Sequence, residues 1–179
     1  MKNGVNYSRG EKGDREFPIV NVRNIVEKKF LHSSDLDTIA LMANKAHDYY
    51  LSENDILMAR SASPGEVTIM YGDLTDVVYS GFVIRVRINE PSLKNLIFRN
   101  LLNDKEKLLF LSNGTTLKSI NQEVLNNYSV LIPDRSTISK FNSYYDIFKK
   151  EIINNLEEIK TLSLARDALL RRFFDGQRK

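Results

Sequence analysis

Residues 134–176, DRSTISKFNSYYDIFKKEIINNLEEIKTLSLARDALLRRFFDG, decide how this chain is built. Their apolar side chains recur in steps of three and four: Ile138, Phe141, Tyr145, Phe148, Ile152, Ile159, Leu162, Leu169 and Phe173. Asn155 and Arg166 are the two breaks in the series. A mean spacing of about 3.5 is that of a coiled-coil seam, here sustained over about five heptads. The stretch contains no Pro, and its only Gly is Gly176 near the end. Pro133 biases Ile132 toward extended backbone, and Asp134 or Ser136 can cap the helix that follows. At ~1.5 Å per residue a helix over 134–174 is roughly 60 Å long, more than the preceding residues can cover as a globule. Much of the seam should therefore be covered by another helix, from the same complex or from a second copy. A helix lying over its own domain is the alternative. Asn155 fits either a register-fixing polar site or a solvated break.

Upstream of Pro133 the pattern changes to short β-like runs between turns. Phe17–Val22 is a β-branched strand candidate followed by a charged turn near Arg23-Asn24. Ile56–Ala59, Glu66–Tyr71, Val77–Tyr79 and Phe82–Ile88 continue the strand pattern, the last with clear alternation. Leu36–Tyr50 reads as a helix rich in Ala, Leu and Met. Ser92–Leu102 reads as a second helix, and Val130–Ile132 as a final strand. The expected fold class is α+β: a mixed globular domain over 1–133, one long C-terminal coiled-coil helix over 134–174, and a tail over 175–179.

The 179 residues, 42% hydrophobic and 27% charged, can bury a core and do not describe a disordered tail. The absence of Cys excludes a disulfide scaffold, a thiol nucleophile and a Cys-based zinc site. No stretch approaches the roughly 18 to 20 apolar residues of a membrane span, and the opening Met1-Lys2-Asn3-Gly4 lacks the apolar run of a secretory signal. A cytoplasmic protein is the expectation. The net charge of +3 arises entirely after residue 133: residues 1–133 carry 16 Lys+Arg against 16 Asp+Glu, and residues 134–179 carry 10 against 7. Bulk charge therefore does not argue for nucleic-acid binding, and any DNA site must come from local arrangement.

Catalytic patterns are missing. His32 and His47 lie 15 residues apart, without metal-ligand spacing, and read as surface or packing residues. The eight Gly form no phosphate loop, and no Pro-Pro dipeptide supports a methyltransferase catalytic loop. A nuclease pattern can be assembled from Pro133-Asp134 and Glu158-Ile159-Lys160. Glu158 and Lys160 sit on the heptad helix, however, where residues two apart face different directions. Glu27-Lys28-Lys29 lacks a suitable upstream Asp. No metal or cofactor is expected.

Four segments carry a family resemblance. Phe17-Pro18-Ile19-Val20-Asn21-Val22-Arg23-Asn24-Ile25 forms an early strand and turn. Leu51-Ser52-Glu53-Asn54-Asp55-Ile56-Leu57-Met58-Ala59-Arg60-Ser61 is a turn-strand element, with Asn54 where Gly is usual. Asn113-Gly114-Thr115-Thr116-Leu117-Lys118-Ser119-Ile120 is a polar turn, followed by Leu125 and the exit Val130-Leu131-Ile132-Pro133. The long helix closes on Leu164-Ala165-Arg166-Asp167-Ala168-Leu169-Leu170-Arg171-Arg172-Phe173-Phe174-Asp175-Gly176. In this order they resemble the DNA specificity (S) subunits of type I restriction-modification systems. Members usually carry two target recognition domains and two spacer helices; this chain has one of each, as in a half-length form.

The resemblance implies a non-catalytic subunit that directs a methyltransferase (M) subunit and, through it, a restriction/motor subunit to double-stranded DNA. A half-length chain would pair its helix, antiparallel, with a second copy or another half-subunit. Two identical readers then address a bipartite, inverted-repeat target. Candidate phosphate-positioning groups are Arg9, Lys12, Arg15 and Lys118; candidate base readers are Arg60, Ser61, Ser63, Tyr71, Asn113, Thr115 and Thr116. Arg60 could instead pair with Asp55 or Asp73, and Thr115-Thr116 could be a turn cap. Asp55 is assigned to turn structure. The seam residues named above are the candidate dimerisation set. Two other readings stand beside this one: a coiled-coil adaptor or assembly protein without DNA specificity, favoured by the neutral charge of 1–133, and a small nuclease.

Overall fold

Continuous burial along two adjacent strands sets the architecture in the computed structural model, which describes residues 1–8, 10, 12–112 and 119–175. Strand β5 (Asp55–Ala59) is buried along its whole length. Ile56 and Met58 point into one apolar cluster, and Leu57 and Ala59 into another on the opposite face. A strand covered on both faces reads as a continuous apolar run, which is what Ile56-Leu57-Met58-Ala59 supplies.

Around β5 a five-stranded sheet runs in the order β1 (Lys2–Asn3), β8 (Val83–Arg87), β5, β6 (Val67–Tyr71), β3 (Phe30–His32). β8, β5 and β6 are antiparallel, with Leu57 opposite Arg85 and Thr68, while β3 is parallel to β6. A second sheet of β4 (Asp37–Leu41), β2 (Arg15–Val20) and β7 (Val78–Tyr79) lies beyond the second cluster, together with α1 (Val22–Glu27) and α2 (Ala43–Ala46). The first cluster is closed by α3 (Lys94–Asn103), α4 (Lys105–Leu111), α5 (Gln122–Asn126) and part of the long helix α6 (Arg135–Asp175). The fold is thus α+β, with mixed sheets and a long terminal helix.

α6 starts where the sequence places it. The Asp134 carboxylate accepts hydrogen bonds from the backbone N–H of Ser136 and Thr137, at 2.9 and 3.0 Å, and so caps the first turn. Three other segments differ from the sequence reading. Leu36–Tyr50 is not one helix: its first half is β4, paired antiparallel with β2 from Arg15–Leu41 to Ile19–Asp37, and only its second half is helical, as α2 followed by a 3-10 turn over His47–Tyr49. Helix-favouring Ala, Leu and Met are overridden there by the ladder that β2 offers. The turn at Arg23-Asn24 is helix α1, its start closed by the Asn24 side chain accepting from Asn21 N–H at 2.8 Å. Val130–Ile132 forms no strand, and Leu131 is 89% exposed. Asn54 has no positive φ, so the position usually held by Gly in the family's turn does not need one here.

Candidate nucleic-acid interface

The connection from β5 to β6, Arg60–Glu66, is held in one shape by its own backbone. Ala62 (φ 63°) and Gly65 (φ 85°) supply left-handed turns, and Gly65 N–H donates to Ala59 C=O at 3.0 Å. Arg60 is fixed from both sides: its N–H donates to Phe82 C=O at 2.9 Å, and its C=O accepts from Ile120 N–H at 3.0 Å. The side chain therefore leaves a rigid backbone, and no hydrogen bond or ion pair holds it among the described residues. Both structural partners open to it in sequence are engaged elsewhere. Asp55 takes a bidentate grip from Arg87 (2.8 and 2.7 Å) and accepts from Ser52 N–H at 2.7 Å, so it belongs to turn structure. Asp73 accepts from Thr75 N–H at 2.8 Å.

Ser61 and Ser63 share this loop, both half-buried, and Phe82 beside it is 66% exposed. At the loop's exit Glu66 lies between Lys29 and Lys105, paired with both. Burial alone would raise its carboxyl, but the hydrogen bonds from Lys105 and Lys29 outweigh that and hold it below the ordinary carboxylate range. The arrangement leaves one net positive charge at this end of the sheet. A free guanidinium, two hydroxyls and an exposed ring on a fixed backbone are the groups that read base edges or stack on them.

Other candidates fall elsewhere. Arg15 pairs with Asp76 and lies over the Phe17 ring (5.2 Å to its centroid). That is the end of the strands opposite Arg60, where β6 finishes and β5 begins. Lys12, exposed, precedes it on the same segment. Tyr71 is a correction. It is 7% exposed, stacked on Phe30 (ring centroids 6.1 Å, 17° apart) and covered by Tyr145 and Lys149 of α6, so its ring is core and not available to DNA. Arg9, Asn113, Thr115, Thr116 and Lys118 lie outside the described residues. Among the described residues no group of three or more His, Asp or Glu could hold a metal ion, and no helix is long and apolar enough to cross a membrane.

The seam of α6 divides between two environments. Ile138 is buried and Phe141, Tyr145 and Ile152 are half-buried on the chain's own globule, alongside Ile153 and Leu156. Phe148, Ile159, Leu162, Leu169 and Phe173 are each more than half exposed. Two things set the division. Phe148 already faces out between the half-buried Tyr145 and Ile152, so the apolar stripe is wider than the face the globule covers. Beyond Leu156 nearly every position is exposed, because the rod outruns the globule. Tyr144, Leu170 and Phe174 widen the exposed stripe at its two ends.

Two polar ties bolt the covered part of α6 to the globule. Near its start Asn142 donates to Ser92 C=O at 2.8 Å and accepts from Asn95 at 3.1 Å. Further along, Glu157 meets the buried ring of His32 at 2.9 Å. Sequence reasoning missed this second tie, because its partners are 125 residues apart and no local pattern links them.

The chain is thus a mixed-sheet unit with a rigid polar loop at one end and a long, partly uncovered helix. Residues 6–160 match the family described as type I restriction modification DNA specificity domain, and the chain belongs to it. It is 27% identical over 167 residues to the specificity subunit of the type I restriction enzyme MjaIX from Methanocaldococcus jannaschii. That alignment covers 90% of this chain and 38% of the relative, so the chain spans about two fifths of the relative's length.

Proposed function

We propose that this chain is one sequence-reading half of a type I restriction-modification specificity module, working on cytoplasmic DNA. In this reading residues 1–133 are the target recognition domain, 134–174 the spacer and pairing helix, and 175–179 a tail. The helix pairs antiparallel with a second copy or with another half-subunit. The two readers so spaced address a bipartite duplex and direct the M subunit, and through it the restriction/motor subunit, which supply the catalysis.

The observation that carries this reading is the uncovered apolar stripe of α6, which has aromatic side chains toward both of its ends. Tyr144 and Phe148 lie eleven to fifteen residues before Ile159, and Leu169, Leu170, Phe173 and Phe174 lie ten to fifteen after it. An isologous antiparallel pair with its two-fold axis near Ile159 would set each aromatic end against the other. The bolted stretch 142–157 is centred ~10 residues from that axis. Two globules would then attach to the helix pair about 30 Å apart, close to one turn of duplex at ~34 Å. The loop with Arg60, Ser61 and Ser63 supports reading at one end of each globule.

The equal charge count over 1–133 supports the adaptor reading instead, and one experiment separates the two. The purified chain is used to enrich random duplexes at several salt concentrations, and its solution mass is measured in parallel. Enrichment of a gapped inverted repeat by a dimer is the expected result. No enriched sequence at any salt would overturn DNA specificity, and cleavage of the pool with magnesium would point to a nuclease.

A further inference from the structure

We infer that the His32–Glu157 pair is a positioning latch that sets the gap between the two half-sites of the target. It does so by fixing the angle at which α6 leaves the reader. The inference rests on the pairing and bipartite reading above.

The latch is built with more care than packing alone requires. His32 is 4% exposed, and both ring nitrogens are engaged. Nδ1 accepts from Ser34 N–H at 3.1 Å, with Ser34 Oγ at 2.8 Å; Nε2 is therefore the protonated nitrogen and donates to Glu157 Oε1 at 2.9 Å. The His32 backbone is held too, its N–H donating to Asp35 Oδ2 at 3.1 Å, and Asp35 is in turn held by Lys28 at 2.7 Å. Opposite the ring stands Gly72 at φ +88°. A Cβ there would come within 2.7 Å of His32 Nε2 and 2.9 Å of Ser33 Oγ, so the ring keeps its place only because that residue has no side chain.

Among the described residues Glu157 is the last point at which α6 is tied by hydrogen bonding to the reader, about half a turn before Ile159, where the helix leaves the globule. With the Asn142 contacts fifteen residues earlier, it gives two polar bolts ~22 Å apart on a rigid rod. Apolar contacts between the bolts resist separation but allow sliding and tilting; directional hydrogen bonds at both ends do not. In a two-fold pair any tilt of one reader is repeated by the other, so the separation of the readers changes by both displacements together. A change of ~3.4 Å along the duplex is one base pair of gap.

The test is enrichment from duplex pools by wild type, His32→Ala, Glu157→Ala and Glu157→Gln, with gap length and half-site bases read separately. The half-exposed Glu157 can be replaced without opening the core, which keeps the test valid if His32→Ala fails to fold. Gln retains an acceptor for Nε2–H. The expected result is one gap length for wild type and Glu157→Gln. The Ala variants should spread over at least one neighbouring length while their half-site bases stay unchanged. Ala variants holding the single wild-type gap overturn the latch and leave the bipartite reading standing. A wild type that enriches no gapped target overturns that reading and the latch with it.

Discussion

Ile152→Asp and Ile159→Asp place the same charge seven residues apart on one helix and should do opposite things. Ile152 packs with Ile153 and Leu156 on the sheet-side cluster, whereas Ile159 is 56% exposed. Complete burial of an Ile is worth ~1.5–3 kcal/mol, so covering the exposed half in a pair contributes about 1–1.5 kcal/mol per copy. At a two-fold axis both copies change together, and two facing carboxylates add roughly 1 kcal/mol of repulsion. Ile159→Asp should therefore weaken pairing by about 3–4 kcal/mol, more than a hundredfold, while thermal stability of the monomer stays within ~0.5 kcal/mol. Ile152→Asp drives a carboxylate into apolar packing at a cost of ~2–4 kcal/mol. For a chain of this size that lowers the thermal midpoint by roughly 5–15 °C. Sedimentation equilibrium across a dilution series reads the first effect, and calorimetry on the monomeric fraction reads the second. Wild-type mass for Ile159→Asp at every concentration would refute the assignment of the outward stripe to pairing.

Three further outcomes follow from the reading end and the core. Arg60→Ala should lose ~1–3 kcal/mol of binding and relax preference at one base of the half-site, measured by competition between single-base variants; an equal loss on every sequence would make Arg60 a phosphate contact. Glu66 is held below its ordinary pKa of 4.5, so its stabilisation is complete above that value and disappears as pH falls through the lower folded value. Thermal midpoints of Glu66→Gln should accordingly fall less steeply than wild type on acidification, and parallel curves would show that the Lys29–Glu66–Lys105 group adds nothing. Asp55→Asn breaks a bidentate pair at a side chain only 2% exposed. It should cost about 2–3 kcal/mol in urea unfolding, discounted for the half-open Arg87, and leave target preference unchanged.

Local pattern revealed what local physics decides. The 3-4 recurrence from Ile138 to Phe173 made α6 legible, and the runs around Ile56–Ala59, Val67–Tyr71 and Val83–Arg87 made three central strands legible, because period and β-branching are properties of neighbours in the chain. β4 was not legible, since Ile39-Ala40-Leu41 becomes a strand only against β2. Short α4 left no period to read. At the candidate site, Arg60, Ser61 and Ser63 stood out as a polar turn after a buried strand. Tyr71 looked equally suitable, and only the approach of α6, seventy residues later in sequence, makes it core. A longer separation, 125 residues, hid His32, whose meaning depends on Glu157. How far the rod is covered was not legible either, because that depends on where the globule ends.

Under the pairing proposed above, that handover along α6 lets natural variation act on folding and on partnership separately. Replacements at covered positions are then filtered mainly by whether the polypeptide survives, those at exposed stripe positions mainly by whom it joins. Late substitutions on the rod could exchange one companion for another, and thereby combine old half-sites into a new address, without rebuilding the module that reads them.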